Sequence, residues 1–173
     1  MSAPRRLFFA LWPDDATRQS LCHWQTHNLP HDVRWQHRAD LHLTLHFLGP
    51  IEPRGVAELR SLGARCCVAG TFALVLDAIG HWPRAQVLWA GPNAIPGELV
   101  ALHACLGEGL RALGHPVESR AFRPHVTLAR KVRRMPGSGP LPPLTWPVRE
   151  MALVESRPGS APMYRPVARW ALC

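Results

Sequence analysis

Two short segments of the chain repeat one pattern, a histidine followed two residues later by a threonine. The first runs from His42 to Leu45 and reads His-Leu-Thr-Leu, and the second runs from His125 to Leu128 and reads His-Val-Thr-Leu. Side chains at positions i and i+2 of a β-strand project from the same face. Each segment therefore presents one imidazole and one hydroxyl together. This pairing suits acid–base chemistry on a phosphate, because histidine titrates near neutral pH and a hydroxyl donates to anionic oxygens.

The two histidines predict one general base and one general acid. In-line displacement at phosphorus needs a base beside the attacking oxygen and an acid beside the leaving oxygen. We expect His42 and His125 to supply these two roles from opposite sides of one cleft, and Thr44 and Thr127 to bind the non-bridging oxygens. Phosphoryl transfer depends mainly on positioning and electrostatics, so the scheme requires no metal and no cofactor.

Strand-like and helix-like segments alternate around the two motifs. Strands are predicted at Arg5–Trp12, Val33–Gln36, Leu41–Leu48, Phe72–Ile79, Val87–Ala90, His125–Val132, Met151–Ser156 and Pro166–Leu172. Helices are predicted after Asp14 and Asp15 to about His27 with a stop near Pro30, over Val56–Val68, and over Gly97–Leu113. Gly49-Pro50 is expected to close the first motif strand, and the Pro- and Gly-rich segment Met135–Pro147 is expected to be an exposed loop.

The order of these elements predicts an α+β fold with mostly antiparallel sheets. The motifs fall near one quarter and three quarters of the 173 residues. This placement favours one domain, residues 1–173, with two pseudo-symmetric lobes, outer helices and a central cleft that carries the motifs. The chain lacks an apolar run long enough to span a membrane, and its N-terminus lacks the layout of a signal peptide. We expect a cytoplasmic monomer.

The chain is strongly basic, with a formal net charge of +8, and Lys131 is its only lysine among 20 basic residues. This charge favours a polyanionic partner such as RNA, although composition bias also explains many arginines. Arg130 is a candidate for binding phosphate or the RNA backbone. On a regular strand its odd offset from His125 would point it to the opposite face. A basic run flanks the same motif and reads equally as an RNA path or a solvated surface: Arg123, Lys131, Arg133 and Arg134.

The sequence also predicts where one further histidine and several tryptophans lie in the fold. His46 is expected at the wet rim of the cleft. His42 and His46 have the spacing of helical metal ligands, but the segment alternates as a strand does and lacks the accompanying glutamate, which argues against a metal. The tryptophans divide by context. Trp12, Trp89 and Trp170 are expected in the core, whereas Trp35 and Trp82 lie near turns and could stack on a base.

The five cysteines are odd in number and contain no Cys-x-x-Cys pair. This pattern argues against a disulfide framework or a zinc site. Cys66, Cys67 and Cys105 fall in helix-like segments, where we expect them to be reduced and to pack as small hydrophobic side chains.

Four stretches of sequence carry a resemblance to a known family. They are Arg6–Ala10, Leu41–Gly49, Phe122–Leu128 and the ending Tyr164–Leu172 with its Arg-Trp-Ala-Leu. With two His-x-Thr-x motifs in a bilobal α+β chain, the sequence resembles the 2H phosphoesterases. More specifically, it is similar to the bacterial RNA 2′,3′-cyclic phosphodiesterases, also called 2′-5′ RNA ligases. The resemblance spans nearly the whole chain.

The resemblance implies hydrolysis of a 2′,3′-cyclic phosphate to a 2′-phosphate, on RNA ends or small cyclic nucleotides. It implies that His125 activates water, that His42 protonates the departing 3′ oxygen, and that the reaction can run backwards as 2′-5′ ligation. Three alternatives remain at this point. They are a phosphodiesterase for another cyclic or 2′-5′-linked nucleotide, a non-catalytic RNA-binding module, and a metal-dependent phosphatase, which the sparse carboxylates near the motifs disfavour.

Overall fold

The computed structural model describes residues 3–29, 32–137 and 139–173, and in these ranges it contains ten strands and three helices. The strands are β1 Arg5–Leu11, β2 Arg34–Trp35, β3 Leu43–Ile51, β4 Phe72–Leu76, β5 Ala78–Trp82, β6 Val87–Gly91, β7 Val126–Arg130, β8 Leu144–Val148, β9 Glu150–Ser156 and β10 Tyr164–Ala171. The helices are α1 Asp15–Asn28, α2 Val56–Cys66 and α3 Gly97–Ala112. Pro30, the predicted stop of the first helix, lies outside the described residues.

Seven strands form one continuous sheet in the order β10-β9-β1-β3-β7-β6-β5, with β2 added beside β7. Strands β4 and β8 form a separate two-stranded sheet. All the strand pairs of the described residues are antiparallel, so the predicted α+β class with antiparallel sheets is confirmed. The two motif strands, β3 and β7, are neighbours in the middle of the sheet. They pair only through Leu43 and Val126.

The back of the sheet holds the main hydrophobic core. Helix α3 places leucines at helical spacing against it, and all four are fully buried: Leu99, Leu102, Leu106 and Leu110. Helices α2 and α3 pack against each other at Gly109, where a Cβ atom would lie 2.1 Å from a methyl carbon of Leu62. Only glycine permits this close approach. The helices thus brace the strands from behind and leave the opposite face of the sheet for the site.

Both motif strands contain one extra residue directly after the motif threonine. Where β1 pairs with β3, Ala10 lies opposite Thr44 but Phe9 lies opposite His46, so Leu45 has no partner in the register. Where β6 pairs with β7, the register likewise passes over Leu128. An unpaired residue of this kind is a β-bulge, and it reverses the alternation of side chains beyond it.

A buried side chain contacts the backbone of the second bulge. Gln25 of α1 is 2% exposed, and its Nε2 donates to the carbonyl oxygen of Leu128 at 2.7 Å. A second acceptor, the carbonyl oxygen of Gln36, lies 3.3 Å from the same nitrogen. The backbone N–H of Gln36 also donates to the carbonyl oxygen of Leu128, at 2.8 Å. The glutamine therefore supplies a second donor to this carbonyl and ties α1 to the irregular backbone next to the motif.

Three predicted segments have different boundaries in the structure. The strand predicted over Phe72–Ile79 is two strands, β4 and β5, which belong to different sheets. The loop predicted over Met135–Pro147 includes most of β8, because pairing with β4 offsets the poor strand propensity of Pro147. The first motif strand does not close at Gly49-Pro50. It continues past a second bulge at Leu48 to Ile51, which pairs with Arg5.

The expectation that Cys66, Cys67 and Cys105 are reduced is wrong for two of them. Cys66 at the end of α2 and Cys105 in α3 form a disulfide, with Cα atoms 5.9 Å apart. The two positions are 39 residues apart in sequence, and only the packing of α2 against α3 brings them together. Cys22, Cys67 and Cys173 are free thiols.

We expect three titratable thiols, rather than five, when the protein is unfolded without reductant. We also expect Cys105→Ser to lower the free energy of unfolding by up to about 4 kcal/mol, because the crosslink closes a long loop. Urea unfolding without reductant measures this change, and Cys67→Ser is the matched control. Five reactive thiols, or equal stability of the two variants, would contradict the assignment.

Candidate active site

His42 lies directly before β3 and is held by two hydrogen bonds. Its Nδ1 is 2.7 Å from the carbonyl oxygen of Asp40, and its Nε2 is 3.1 Å from Oγ1 of Thr44. A carbonyl oxygen only accepts, so Nδ1 carries the proton and donates it. In the neutral ring Nε2 therefore accepts from the hydroxyl of Thr44. This fixed tautomer makes Nε2 the atom that exchanges protons.

His125 is anchored in the same way. It lies directly before β7, and its Nδ1 is 2.8 Å from the carbonyl oxygen of Arg123. In both motifs the histidine thus donates to the carbonyl two residues before it. The same reasoning assigns the proton of neutral His125 to Nδ1 and leaves Nε2 for proton transfer.

The sheet brings the two motifs together. Leu43 and Val126, the residues that follow each histidine, are paired in the centre of the sheet. In an antiparallel pair the neighbours on either side face each other crosswise. This register sets His42 across from Thr127 and Thr44 across from His125. All four residues predicted from the motifs therefore meet at one place, where β3 and β7 touch.

Arg130 also faces this place, contrary to the strand alternation expected from the sequence. The bulge at Leu128 returns its side chain to the face of Thr127. Burial is the main cause that lowers the pKa of His42 and the pKa of His125, and the positive charge of Arg130 lowers both further. The expectation that an odd offset turns Arg130 away from His125 was wrong because it assumed a regular strand.

His46 does not lie at the rim of the cleft. The bulge at Leu45 turns it to the helix side of the sheet, where it is 6% exposed. Its Nε2 donates to the carbonyl oxygen of His103 at 2.9 Å, and its ring stacks on the ring of His103 at 4.1 Å. The predicted rim position is therefore wrong, and His46 belongs to the contact between β3 and α3.

Aromatic rings enclose both motif histidines. The ring of Trp12 stacks on His42 at 5.8 Å, and Phe8 and Tyr164 lie 5.0 and 4.8 Å from it. Trp82 meets His125 edge to face at 4.5 Å. Trp12 is buried, as predicted, but it packs against the site rather than in the main core. These rings fix the orientation of the imidazoles and remove water from them.

Burial is the main cause of the pKa shifts in the site. It lowers the pKa of His42 to about 4 and also lowers the pKa of His125, because a charged imidazole loses its hydration. Both rings are therefore neutral at pH 7. A bound phosphate would reverse part of this shift, since a nearby negative charge favours the imidazolium. In the described ranges, no three His, Cys, Asp or Glu residues are grouped to hold a metal ion.

Asp40 positions the site, although no motif in the sequence indicated it. Its side chain is 4% exposed, and its two carboxylate oxygens accept from the backbone N–H groups of Met163 and Tyr164 at 3.0 and 2.9 Å. The same residue accepts from His42 through its carbonyl oxygen. Asp40 thus ties the start of β10 to the histidine. Its only sequence signal is a carboxylate two residues before the motif.

The chain is similar in sequence and in fold to known proteins. Residues 13–159 match the model of the 2′-5′ RNA ligase superfamily. A curated relative from Escherichia coli K12, named RNA 2′,3′-cyclic phosphodiesterase, is 35% identical over 99% of this chain and 99% of its own. A relative of the same name from Thermus thermophilus is 32% identical and covers 96% of this chain and 90% of its own. The crystal structure of E. coli LigT complexed with 3′-AMP has a TM-score of 0.88 at 32% identity, covering 98% of both chains.

These matches identify the superfamily of the chain. The chain belongs to the 2′-5′ RNA ligase superfamily, the 2H phosphoesterases, so the resemblance seen in the sequence is confirmed. Within that superfamily it is a cyclic phosphodiesterase, which is a hydrolase, like the curated relatives that it matches over nearly its full length. Among the helices of the described residues, none is long and apolar enough to cross a bilayer.

We expect His42 to titrate near pH 4 and inorganic phosphate to raise its pKa. Unfolded histidine titrates near 6.5, so between pH 6.5 and 4 the unfolded chain binds more protons than the folded chain. Stability should therefore fall as the pH drops through this window. Long-range ¹H–¹⁵N spectra measure the titration, and His42→Gln assigns the signals. A His42 pKa at or above 6.5 without phosphate would contradict the burial described here.

We expect Asp40→Asn to lower the free energy of unfolding by about 1–3 kcal/mol, because the new amide N–H₂ meets a backbone donor. Urea unfolding at pH 7 measures the change, with exposed Asp32→Asn as the matched control. Loss of the close contact between Tyr164 and His42 should accompany it in NMR spectra. Equal free energies of unfolding for the two variants would contradict the positioning role of Asp40.

Proposed function

We propose that this chain hydrolyses RNA 2′,3′-cyclic phosphate ends to 2′-phosphates by metal-independent acid–base catalysis from His42 and His125. The observation that supports this most is the matched anchoring of the two rings. Each donates its Nδ1 proton to a carbonyl two residues earlier, and the register brings both motifs to one place. Two imidazoles on neighbouring strands, each with Nε2 as its proton-exchange atom, suit the two ends of an in-line displacement.

The reaction needs one proton removed and one proton supplied. Nε2 of His125 takes a proton from water, and the water oxygen forms a bond to phosphorus. The bond from phosphorus to the 3′ oxygen breaks, and Nε2 of protonated His42 gives its proton to that oxygen. The rings then exchange protons with solvent and return to their starting states. The assignment of base and acid follows from the family resemblance.

Protonation of His42 is coupled to substrate binding in this scheme. Its pKa of about 4 leaves few protonated rings at pH 7, so the anionic cyclic phosphate must raise it. The neutral ring accepts from the hydroxyl of Thr44 at 3.1 Å, but the protonated ring has no lone pair to offer. The Thr44 hydroxyl is then released to donate to a non-bridging oxygen. Binding of the anion thus prepares both the acid and a hydrogen-bond donor.

Thr127 and Arg130 complete the phosphate site on the other strand. The guanidinium of Arg130 acts on both rings, and its paired donors match the geometry of a phosphate. It holds the anion between the histidines and stabilises the charge that develops on the non-bridging oxygens.

We interpret residues 1–173 as a single domain with two pseudo-symmetric lobes that meet at β3 and β7.

The substrate class rests on the relatives. The curated relatives are named for RNA 2′,3′-cyclic ends, and E. coli LigT has been crystallised with 3′-AMP, ATP and NADP⁺. Small nucleotides are therefore a second substrate candidate for this chain. Ligation through a 2′-5′ linkage is the reverse of the proposed step, with a ribose hydroxyl in place of water.

We expect the native protein to convert an RNA oligomer with a 2′,3′-cyclic phosphate into a 2′-phosphate product in excess EDTA. His42→Ala and His125→Ala should each lower kcat/KM by at least about 10²–10⁴-fold, because each removes a proton-transfer group. His23→Ala, exposed on α1, is the matched control and should behave as native. Product chromatography and circular dichroism measure turnover and folding.

Three outcomes would contradict this proposal. An active double variant would remove the two-histidine mechanism, and inhibition by EDTA would indicate a metal-dependent phosphatase. Salt-dependent RNA binding without turnover on an RNA and nucleotide panel would favour a binding module.

A further inference from the structure

Arg34 is an exposed arginine that lies directly opposite Arg130 in the main sheet. The register of the short strand β2 pairs Arg34 with Arg130 and Trp35 with Ala129. Directly opposite residues of an antiparallel pair share one face of the sheet. Ala129 is fully buried in the core on the helix side, so the two arginines lie on the other face, where the motifs are. The proposed mechanism uses only one of these two cations.

Two cations at opposite positions of a sheet are unfavourable unless an anion lies between them. Like charges directly opposite each other destabilise a strand pair, because their Cβ atoms are only about 5 Å apart. Within the described ranges, neither Arg34 nor Arg130 lies within ion-pair distance of a carboxylate. A negatively charged ligand would remove the repulsion. Phosphate is such an anion, and paired guanidinium donors match its geometry.

Hydrogen bonds fix β2 beside β7, although β2 contains only two residues. The backbone N–H of Gln36 donates to the carbonyl oxygen of Leu128 at 2.8 Å. The Nε2 of Gln25 donates to the same carbonyl at 2.7 Å and lies 3.3 Å from the carbonyl oxygen of Gln36. The backbone that carries Arg34 is therefore joined to the bulge that orients Arg130. The fold itself holds the two arginines side by side before any ligand binds.

The two arginines differ in their reach toward the motif histidines. Burial is the main cause that lowers the pKa of His42 and the pKa of His125, and the charge of Arg130 lowers both further. Among the described residues, Arg34 is not one of the charges that act on either ring. Arg130 is therefore close to an anion held between the histidines, whereas Arg34 is placed for a second anion next to it.

The position of β2 indicates which part of a substrate would carry the second anion. Strand β6 pairs with one edge of β7, and β3 and β2 lie one after the other along the opposite edge. In the proposed function the ribose lies on the side of His42, because His42 protonates its 3′ oxygen. The next phosphate of an RNA strand is bonded to the 5′ oxygen of the same ribose. It therefore starts from the side of β7 that carries β2.

We propose that Arg34 binds the 5′ phosphate of the nucleotide whose cyclic phosphate is held by Arg130. The inference rests on the proposed function, which sets the ribose on the side of β3. In RNA this 5′ phosphate is the first internucleotide phosphate before the reacting end. The subsite thus favours an RNA end over a nucleoside cyclic phosphate, and it contacts the backbone without reading the base.

Two substrates that differ by one phosphate test this subsite. Adenosine 2′,3′-cyclic phosphate and its 5′-phosphorylated form share the base, the ribose and the reacting group. The native protein should prefer the 5′-phosphorylated form. We expect Arg34→Ala to lower kcat/KM for that form by about 3- to 20-fold, mainly through KM, as for one charge-assisted contact near the surface. The loss for the other substrate should be smaller, so the ratio between the substrates falls.

Matched variants separate phosphate binding from folding and from net charge. Arg34→Lys keeps the charge and should keep most of the preference, whereas Arg34→Gln should lose it. Arg65→Ala removes the same charge from the exposed side of α2, behind the sheet, and should leave the ratio unchanged. Since Arg34 faces a like charge, Arg34→Ala should not lower the free energy of unfolding in urea, as the loss of a structural residue would.

A binding measurement separates this inference from the proposed function. Calorimetry compares adenosine 2′,5′-bisphosphate with adenosine 2′-phosphate, the products of the two substrates, and requires no turnover. We expect tighter binding of the bisphosphate, and loss of this difference in Arg34→Ala. Equal binding of the two nucleotides by the native protein, or an unchanged difference in Arg34→Ala, would overturn the inference and leave the hydrolytic mechanism intact. Binding that depends on Arg34 without hydrolysis of either substrate would contradict the proposed function alone.

Discussion

The position of one extra residue in each motif strand determines what the site contains. Leu45 and Leu128, the last residues of the two motifs, are the unpaired residues of bulges. Without them the alternation of a regular strand would carry His46 and Ala129 to the site face. With them, Phe47 and Arg130 occupy that face instead. Each bulge therefore changes which side chain beyond the threonine reaches the site, whereas the histidine and the threonine keep their positions.

The two faces of the sheet have opposite requirements, and the bulges allow both to be met. The back needs closely packed aliphatic side chains, and both bulged leucines are buried there, 4% and 0% exposed. The front needs imidazoles that are oriented by the backbone and largely shielded from water. Shielding by Trp12, Phe8 and Tyr164 lowers the pKa of His42 to about 4, so this ring is neutral in the free protein at pH 7. In the mechanism proposed above, this ring gains its proton only when the anionic substrate is bound.

The sequence predicted those features that depend on a few neighbouring residues. The paired motifs, the order of helices and strands, and the family were all readable because each rests on a local pattern. The bulges were not readable, since Leu45 and Leu128 look like ordinary strand residues and only the partner strands reveal the missing pairing. This is why the expected orientations of His46 and Arg130 were wrong. Asp40 was missed for a related reason, because its importance lies in Met163 and Tyr164, more than 120 residues away.

Long-range packing also explains the remaining differences. The bond between Cys66 and Cys105 depends on two helices that meet behind the sheet. Strand β8 depends on β4, some 70 residues earlier in the chain. In both cases the local sequence is also compatible with a different outcome, a reduced cysteine or a loop. Packing against a distant part of the chain determines which one forms.

The single pairing between Leu43 and Val126 has a mechanical consequence. The two halves of the main sheet are joined at the motif strands by this one pair, whereas β1 and β3 are joined along their whole length. The spacing of the two imidazoles therefore depends on one backbone pair and on the main core packed behind both halves of the sheet. A change that displaced this one pair would alter the distance between the two imidazoles without changing any chemical group of the site.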